Sequence, residues 1–158
     1  MFGLAPAVSA EVIQISAAGL VRHCPCDFDP ADGALVSQGV LQPQDAGARY
    51  FAPVVFPASG VNVCEVAMVY RDVNDADTMT ASLNRKSFAV GGDAFVPPVA
   101  MATLKSGPGV VDTVRRAAKT KIKRAKINTS KYFYFLEVEV PTINLEILGF
   151  QIVTGKTC

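Results

Sequence analysis

Two runs near the end of the chain, Tyr132 to Val140 (YFYFLEVEV) and Leu145 to Val153 (LEILGFQIV), constrain its fold more than any other feature. Aromatic and β-branched residues at this density, separated by Pro141 to Asn144, predict two strands of a sheet whose faces are both largely covered. Parity along the first run divides it. Tyr132, Tyr134, Leu136, Val138 and Val140 fall on one face, whereas Phe133 and Phe135 fall on the other, ahead of Glu137 and Glu139. That second face is apolar at one end and acidic at the other, so another segment or another molecule has to cover the two phenylalanines.

The rest of the chain keeps the same rhythm. Glu11 to Ser16 alternates as a first strand, Ala34 to Leu41 reads as a short one, and Arg49 to Phe56 carries Pro53, which lacks a ladder donor and marks an edge or bulge. Val61 to Tyr70 is apolar on both parities, as a central strand should be. Thr78 to Phe88 and Val99 to Leu104 follow as further strands, with Gly and Asp-rich turns between. Residues 110 to 127 are ambiguous: Val111, Val114, Ala118, Ile122 and Ala125 recur at helical spacing, while Lys119, Lys121 and Lys123 alternate as on a solvated strand. The recurrence of short extended segments about every ten residues favours strand. A single all-β domain follows, an antiparallel β-sandwich, jelly-roll-like, spanning 11–158.

A chain of 158 residues can bury one adequate core without staples. Its apolar content is 50% and its charged content 18%, below the ~25% of ordinary domains, so part of the surface is expected to be apolar and to meet a partner. No run approaches the ~20 apolar residues of a spanning helix. Residues 1–10 read as the remnant of a signal peptide or as a flexible N-terminus, with Val8, Ser9 and Ala10 in a cleavage-like position before Glu11. The four cysteines, Cys24, Cys26, Cys64 and Cys158, suit two disulfides in an exported protein. A bridge between Cys24 and Cys26 would close a very tight loop, so pairing of these two with Cys64 and Cys158 is the more comfortable geometry. A zinc set of His23, Cys24, Cys26 and one distant cysteine is the lesser alternative.

Several segments together, Tyr50 to Pro57 (YFAPVVFP), Val66 to Asp72 (VAMVYRD), Thr80 to Arg85 (TASLNR), Asn128 to Val138 (NTSKYFYFLEV) and Leu145 to Ile152, carry a resemblance. The chain resembles a loosely defined group of secreted bacterial β-sandwich surface domains. The resemblance spans Glu11 to Val153 and implies a fold and an extracellular compartment, but no catalytic residue. The cationic run from Arg115 to Lys126 departs from the Thr and Ser-rich strand of that group.

Chemistry is sparse. His23 is the single histidine, and as a base for Cys24 it would have to act on its own sequence neighbour, which side-chain directions rarely permit. Glu137 and Glu139 lie ~7 Å apart on one strand face, a separation open to an inverting glycosidase, yet such pairs are ordinarily the solvated side of a sheet. Asp72, Asn74, Asp75 and Asp77, and more weakly Asp27, Asp29 and Asp32, offer oxygens for calcium in turns where Asp and Asn are common for local reasons. No other cofactor is indicated. Charge is the strongest local signal: Arg115, Arg116, Lys119, Lys121, Lys123, Arg124 and Lys126 make a basic interaction strip. Residues 100–158 are net +6 and residues 1–99 net −5. This polarity suits head-to-tail association or an anionic polysaccharide, and the absence of aromatics within the strip argues against nucleic acid. The expectation is a non-catalytic extracellular structural or interaction module, a self-associating subunit of a surface or filamentous assembly, partnered by its own copies or another surface protein. The alternative is a carbohydrate-binding module with Tyr50, Tyr70, Tyr132 or Phe133 as its platform.

Overall fold

The computed structural model describes residues 10–23, 35–73, 77–88, 97–107, 109 and 111–158. It is all-β, with two antiparallel sheets packed face to face. The strands are β1 (Glu11–Ser16), β2 (Val21–Arg22), β3 (Leu35–Ser37), β4 (Val40–Gln42), β5 (Ala48–Val54), β6 (Asn62–Asp72), β7 (Thr80–Ser87), β8 (Val99–Lys105), β9 (Thr113–Lys119), β10 (Tyr132–Val140) and β11 (Leu145–Gly155). Sheet I runs β3-β4-β11-β6-β9, with β1 also on β11, and sheet II runs β2-β5-β10-β7-β8. β4 meets β11 at Ile147 and β1 meets it from Gly149 to Thr154, so the two share successive halves of one edge.

The two late runs are therefore neighbours in sequence only. β10 lies at the centre of sheet II and β11 at the centre of sheet I, and Pro141 to Asn144 carries the chain across the sandwich. Their inward rows, Tyr134, Leu136, Val138 and Val140 opposite Leu145, Ile147, Phe150 and Ile152, form the middle of the core with Tyr50, Met68, Leu83 and Met101. Truncating any one of the fully buried leucines would cost about 2–5 kcal/mol.

Local chemistry explains the departures from the sequence reading. The expected single strand at Ala34 to Leu41 is a hairpin, because Gln38 and Gly39 both adopt positive φ (54° and 80°), the pattern of a two-residue turn whose twist matches its strands. Pro53 sits on β5 where the two-residue β2, paired only to Phe51 and Tyr50, has already ended. Its missing N–H is thus not demanded by a neighbour. The ambiguous stretch is strand only over Thr113–Lys119, where β9 forms an edge on β6; Lys121 and Lys123 lie beyond it, where the chain leaves the sheet and turns.

A close crossing fixes one glycine. Ladder pairing on β6 shifts between Ile147 and Gly149, and a Cβ at Gly149 would stand 2.7 Å from the Ile15 carbonyl oxygen of β1. No side chain fits between these backbones. A disulfide, Cys64–Cys158 with a Cα–Cα separation of 5.2 Å, ties β6 to the segment after β11. This overturns the favoured pairing of Cys64 and Cys158 with Cys24 and Cys26, which lie outside the described residues. The bonded pair stands on adjacent strand ends, because β6 and β11 run side by side to that point. It closes a loop of 94 residues, for which chain-entropy arguments give about 4–5 kcal/mol of stabilisation.

Candidate functional site

Register on sheet II decides what its outer face presents. Phe135 of β10 stands between Pro53 of β5 and Asn84 of β7, Phe133 is opposite Lys86, and Glu137 lies between Phe51 and Ser82. Phe51 and Phe135 are thus diagonal cross-strand neighbours, close enough for aromatic contact. Five rings follow one another: His23 to Phe51 at 5.3 Å between centroids, Phe51 to Phe135 at 6.0 Å, Phe135 to Phe133 at 5.9 Å and nearly parallel, and Phe133 to Phe88 at 5.6 Å. All four spacings lie in the 4.5–7 Å range of favourable aromatic pairs. The rings line an open groove of about 760 Å³, together with Pro53, Val55, Pro98 and, at its polar margin, Lys86 and Thr129.

Among the described residues nothing covers this apolar groove. Phe133 and Phe88 keep 40% and 54% of their surface and Val55 keeps 79%. Exposed apolar clusters of this kind are costly in water and commonly serve as binding surfaces. Its frame is fixed beforehand. Asn128 Oδ1 accepts from Ser130 Oγ (2.8 Å) and the Lys131 amide (3.1 Å), the Asn128 amide donates to Tyr134 Oη (2.8 Å), and the Thr129 amide donates to Ser59 Oγ (2.8 Å). Beneath, Phe56 meets Tyr134 edge-on at 5.0 Å. The Phe88 amide donates to the Lys131 carbonyl at 3.1 Å, holding that ring at the groove end.

Along β10 the same face turns polar. Asn84 Nδ2 donates to Ser82 Oγ (2.8 Å) and to Glu137 Oε2 (3.5 Å), and Glu139 pairs across the ladder with Arg49 (3.6 Å). Of the two acids, Glu137 accepts a cross-strand hydrogen bond and Glu139 sits in an exposed ion pair. The arrangement is a stacking platform continued by hydrogen-bonding side chains.

Of the expected platform, only part stands here. Tyr50 and Tyr70 are 1% and 3% exposed and point into the core. Burial raises the Tyr50 hydroxyl above its ordinary value, with Arg22 opposing and Asp45 reinforcing. Tyr132 lines the groove from its half-buried side, beneath Arg85 at 4.3 Å, and Phe133 faces outward as expected. Phe51, Phe88 and His23 were missed as members. The parity of Phe51 with Arg49 and Pro53 was available in the sequence, but only the β5–β10 register sets it beside Phe135.

The other candidates are dispersed. Asp72 is buried at the end of β6 and faces Arg115 at 3.3 Å, Asp77 is half-exposed, and Asn74 and Asp75 lie outside the described residues, as do Asp27, Asp29 and Asp32. Among the described residues no three His, Cys, Asp or Glu groups converge on a metal position. The zinc alternative loses its distant thiol to the Cys64–Cys158 bond. The basic strip divides. Arg115 turns toward Asp72 and the Tyr70 ring and Arg116 pairs with Glu65, whereas Lys119, Lys121, Lys123, Arg124 and Lys126 are exposed.

No protein-family model and no curated protein matches this sequence. Solved structures match in fold. The xylan-binding module CBM15 aligns at 12% identity over 92% of this chain and 97% of its own, with a TM-score of 0.55. The C-terminal CBM6 of LamC, a marine laminarinase from Zobellia galactanivorans, aligns at 14% identity over 90% and 98%, with a TM-score of 0.50. The Clostridium thermocellum xylanase 10B CBM22-1-GH10 structure, complexed with xylohexaose, aligns at 10% identity over 93% of this chain, 28% of that one, also at 0.50. The architecture is the jelly-roll β-sandwich of carbohydrate-binding modules. At these identities the likeness is one of fold alone.

Proposed function

We propose that this chain is a non-catalytic polysaccharide-binding module whose ligand lies along the outer face of β5, β10 and β7. The observation that carries the reading is the ribbon of five rings in a pre-formed groove that no described residue covers, grading into Ser82 and Glu137 above the buried Asn84. A sugar ring has an apolar C–H face and a polar edge. Successive residues of an extended glycan can stack their faces on Phe51, Phe135 and Phe133 and direct their hydroxyls toward the polar row. Apolar area removed from water contributes about 25 cal/mol per Å², and the fixed frame lowers the ordering cost. The chain contains no Trp, so the platform rests on phenylalanine and affinities in the micromolar to millimolar range are expected.

The fold neighbours support this reading over self-association, since two are carbohydrate-binding modules and one structure holds xylohexaose. A disulfide between Cys64 and Cys158 fits an extracellular setting, where polysaccharide is met. Calorimetric titration with soluble xylan, laminarin and cello-oligosaccharides tests it: at least one binds and Phe135→Ala abolishes the heat. Concentration-dependent dimerisation through the same rings, with no glycan binding, would return the groove to self-association.

A further inference from the structure

A second surface, on a different side of the sandwich, presents charge instead of rings. After β9 the chain crosses from sheet I toward sheet II and back: the Lys123 amide donates to Met101 O (2.8 Å), the Val63 amide to Ala125 O (3.0 Å), and the Ile127 amide to Val61 O (2.8 Å). The Gly60 amide completes the tie to Ile127 O at 2.8 Å. Ile127 is buried and Ile122 packs on the core, so the intervening Lys123, Arg124 and Lys126, with Lys121 just before them, are turned outward. Lys105 and Lys119 flank a cleft of about 420 Å³ between the edge strands β8 and β9 and extend the same surface. None of the cations from Lys119 to Lys126 forms an ion pair with a described residue.

Backbone geometry adds a second, independent observation. Arg124 holds φ at 53°, a left-handed conformation that glycine would adopt without steric cost. The same φ recurs at the Gln38 and Asp112 turns, so the geometry fixes where the Arg124 side chain is presented, at the tip of a pinned cationic turn. Edge protection does not account for the cations after Lys119, because the turn they occupy is not an open strand edge.

We propose that this cationic surface is a binding site for a linear polyanionic glycan, sulfated or uronic, distinct from the aromatic groove. Residues 113–131 contain no aromatic side chain, so the surface offers no stacking for nucleobases, whereas the anionic groups of a glycan require only charge held at fixed spacing. A pinned backbone supplies that spacing. Binding should be governed by counterion release, with log K falling by ~0.7 per log unit of salt for each neutralised charge on a flexible polyanion.

Calorimetry of the full chain with dextran sulfate, polygalacturonate, neutral dextran and single-stranded DNA tests this. Expected is binding to dextran sulfate or polygalacturonate, the two arms separating sulfate from carboxylate recognition, with none to neutral dextran. If four charges are neutralised, affinity falls about 50-fold between 50 and 200 mM salt. Replacing Lys121, Lys123, Arg124 and Lys126 by Gln lowers it at least tenfold, whereas Arg49→Gln on sheet II does not. Arg124→Gly retains the unfolding midpoint while weakening the polyanion. No polyanion binding at 50 mM salt, an unaffected quadruple variant, or DNA binding as tightly as either glycan would overturn the assignment. Any binding of dextran or DNA at the groove is removed by Phe133→Ala with Phe135→Ala and is untouched by the quadruple Gln variant, so failure of the groove reading and failure of this one are distinguishable.

Discussion

The outer faces of the two sheets are built on the same strand alternation and end in opposite states. On sheet I the outward side chains satisfy one another: Arg71 of β6 pairs with Glu146 of β11 at 2.6 Å and with Asp112 at 3.2 Å, and Arg116 of β9 pairs with Glu65 of β6. The hydrogen bond and charge of Glu146 hold the Arg71 guanidinium above its ordinary value. On sheet II the outward positions of β5 and β10 hold Phe51, Pro53, Phe133 and Phe135, which contact each other and leave ring faces to water. The charged side chains of the first face are paired within the chain, whereas the rings of the second, among the described residues, are not covered, and the proposed glycan site rests on that contrast.

The largest expected effect breaks this contrast at its centre. Phe133→Ala with Phe135→Ala should cost at least about 2 kcal/mol of glycan affinity, roughly 30-fold, as for central residues of other interfaces. Val69→Ala and Gln151→Ala on the outer face of sheet I should leave binding unchanged. Equal losses from both faces, with folding verified by thermal unfolding, would erase the distinction.

Removing the staple of sheet I, by Cys64→Ala with Cys158→Ala, should lower stability by about 4–5 kcal/mol in denaturant titration while the folded fraction still binds glycan. Gly149→Ala forces β1 away from β11 and should cost about 1–3 kcal/mol, again without changing affinity. Smallest is the effect of pH. Tyr50 is held protonated by burial beneath sheet II, so its folded value lies above the unfolded one. Its contribution is present below pH ~10 and is lost as pH rises through that region, a loss that Tyr50→Phe should remove from the stability profile.

Much of this contrast could be read from residue types. Alternation along Tyr132 to Val140 identified both the buried row and the exposed phenylalanines, and the apolar parity of Val61 to Tyr70 marked β6 as central. Pairing was not legible, because hydrophobic period specifies a face but not the neighbour that shares it. That is why the late runs looked like partners, why Tyr50 looked like platform and Phe51 did not, and why the cysteine pairing was misjudged. The Gln38-Gly39 turn was hidden for a related reason: glutamine at positive φ is uncommon and carries no turn signature.

The most direct test of the account is an amide and side-chain NMR titration with neutral β-linked hexasaccharides. The account predicts that one glycan perturbs His23, Phe51, Phe88, Phe133, Phe135 and the adjoining Ser82 and Asn84, with sheet I silent. Perturbations confined to sheet I or to the loops between sheets, or none with any glycan, would contradict it.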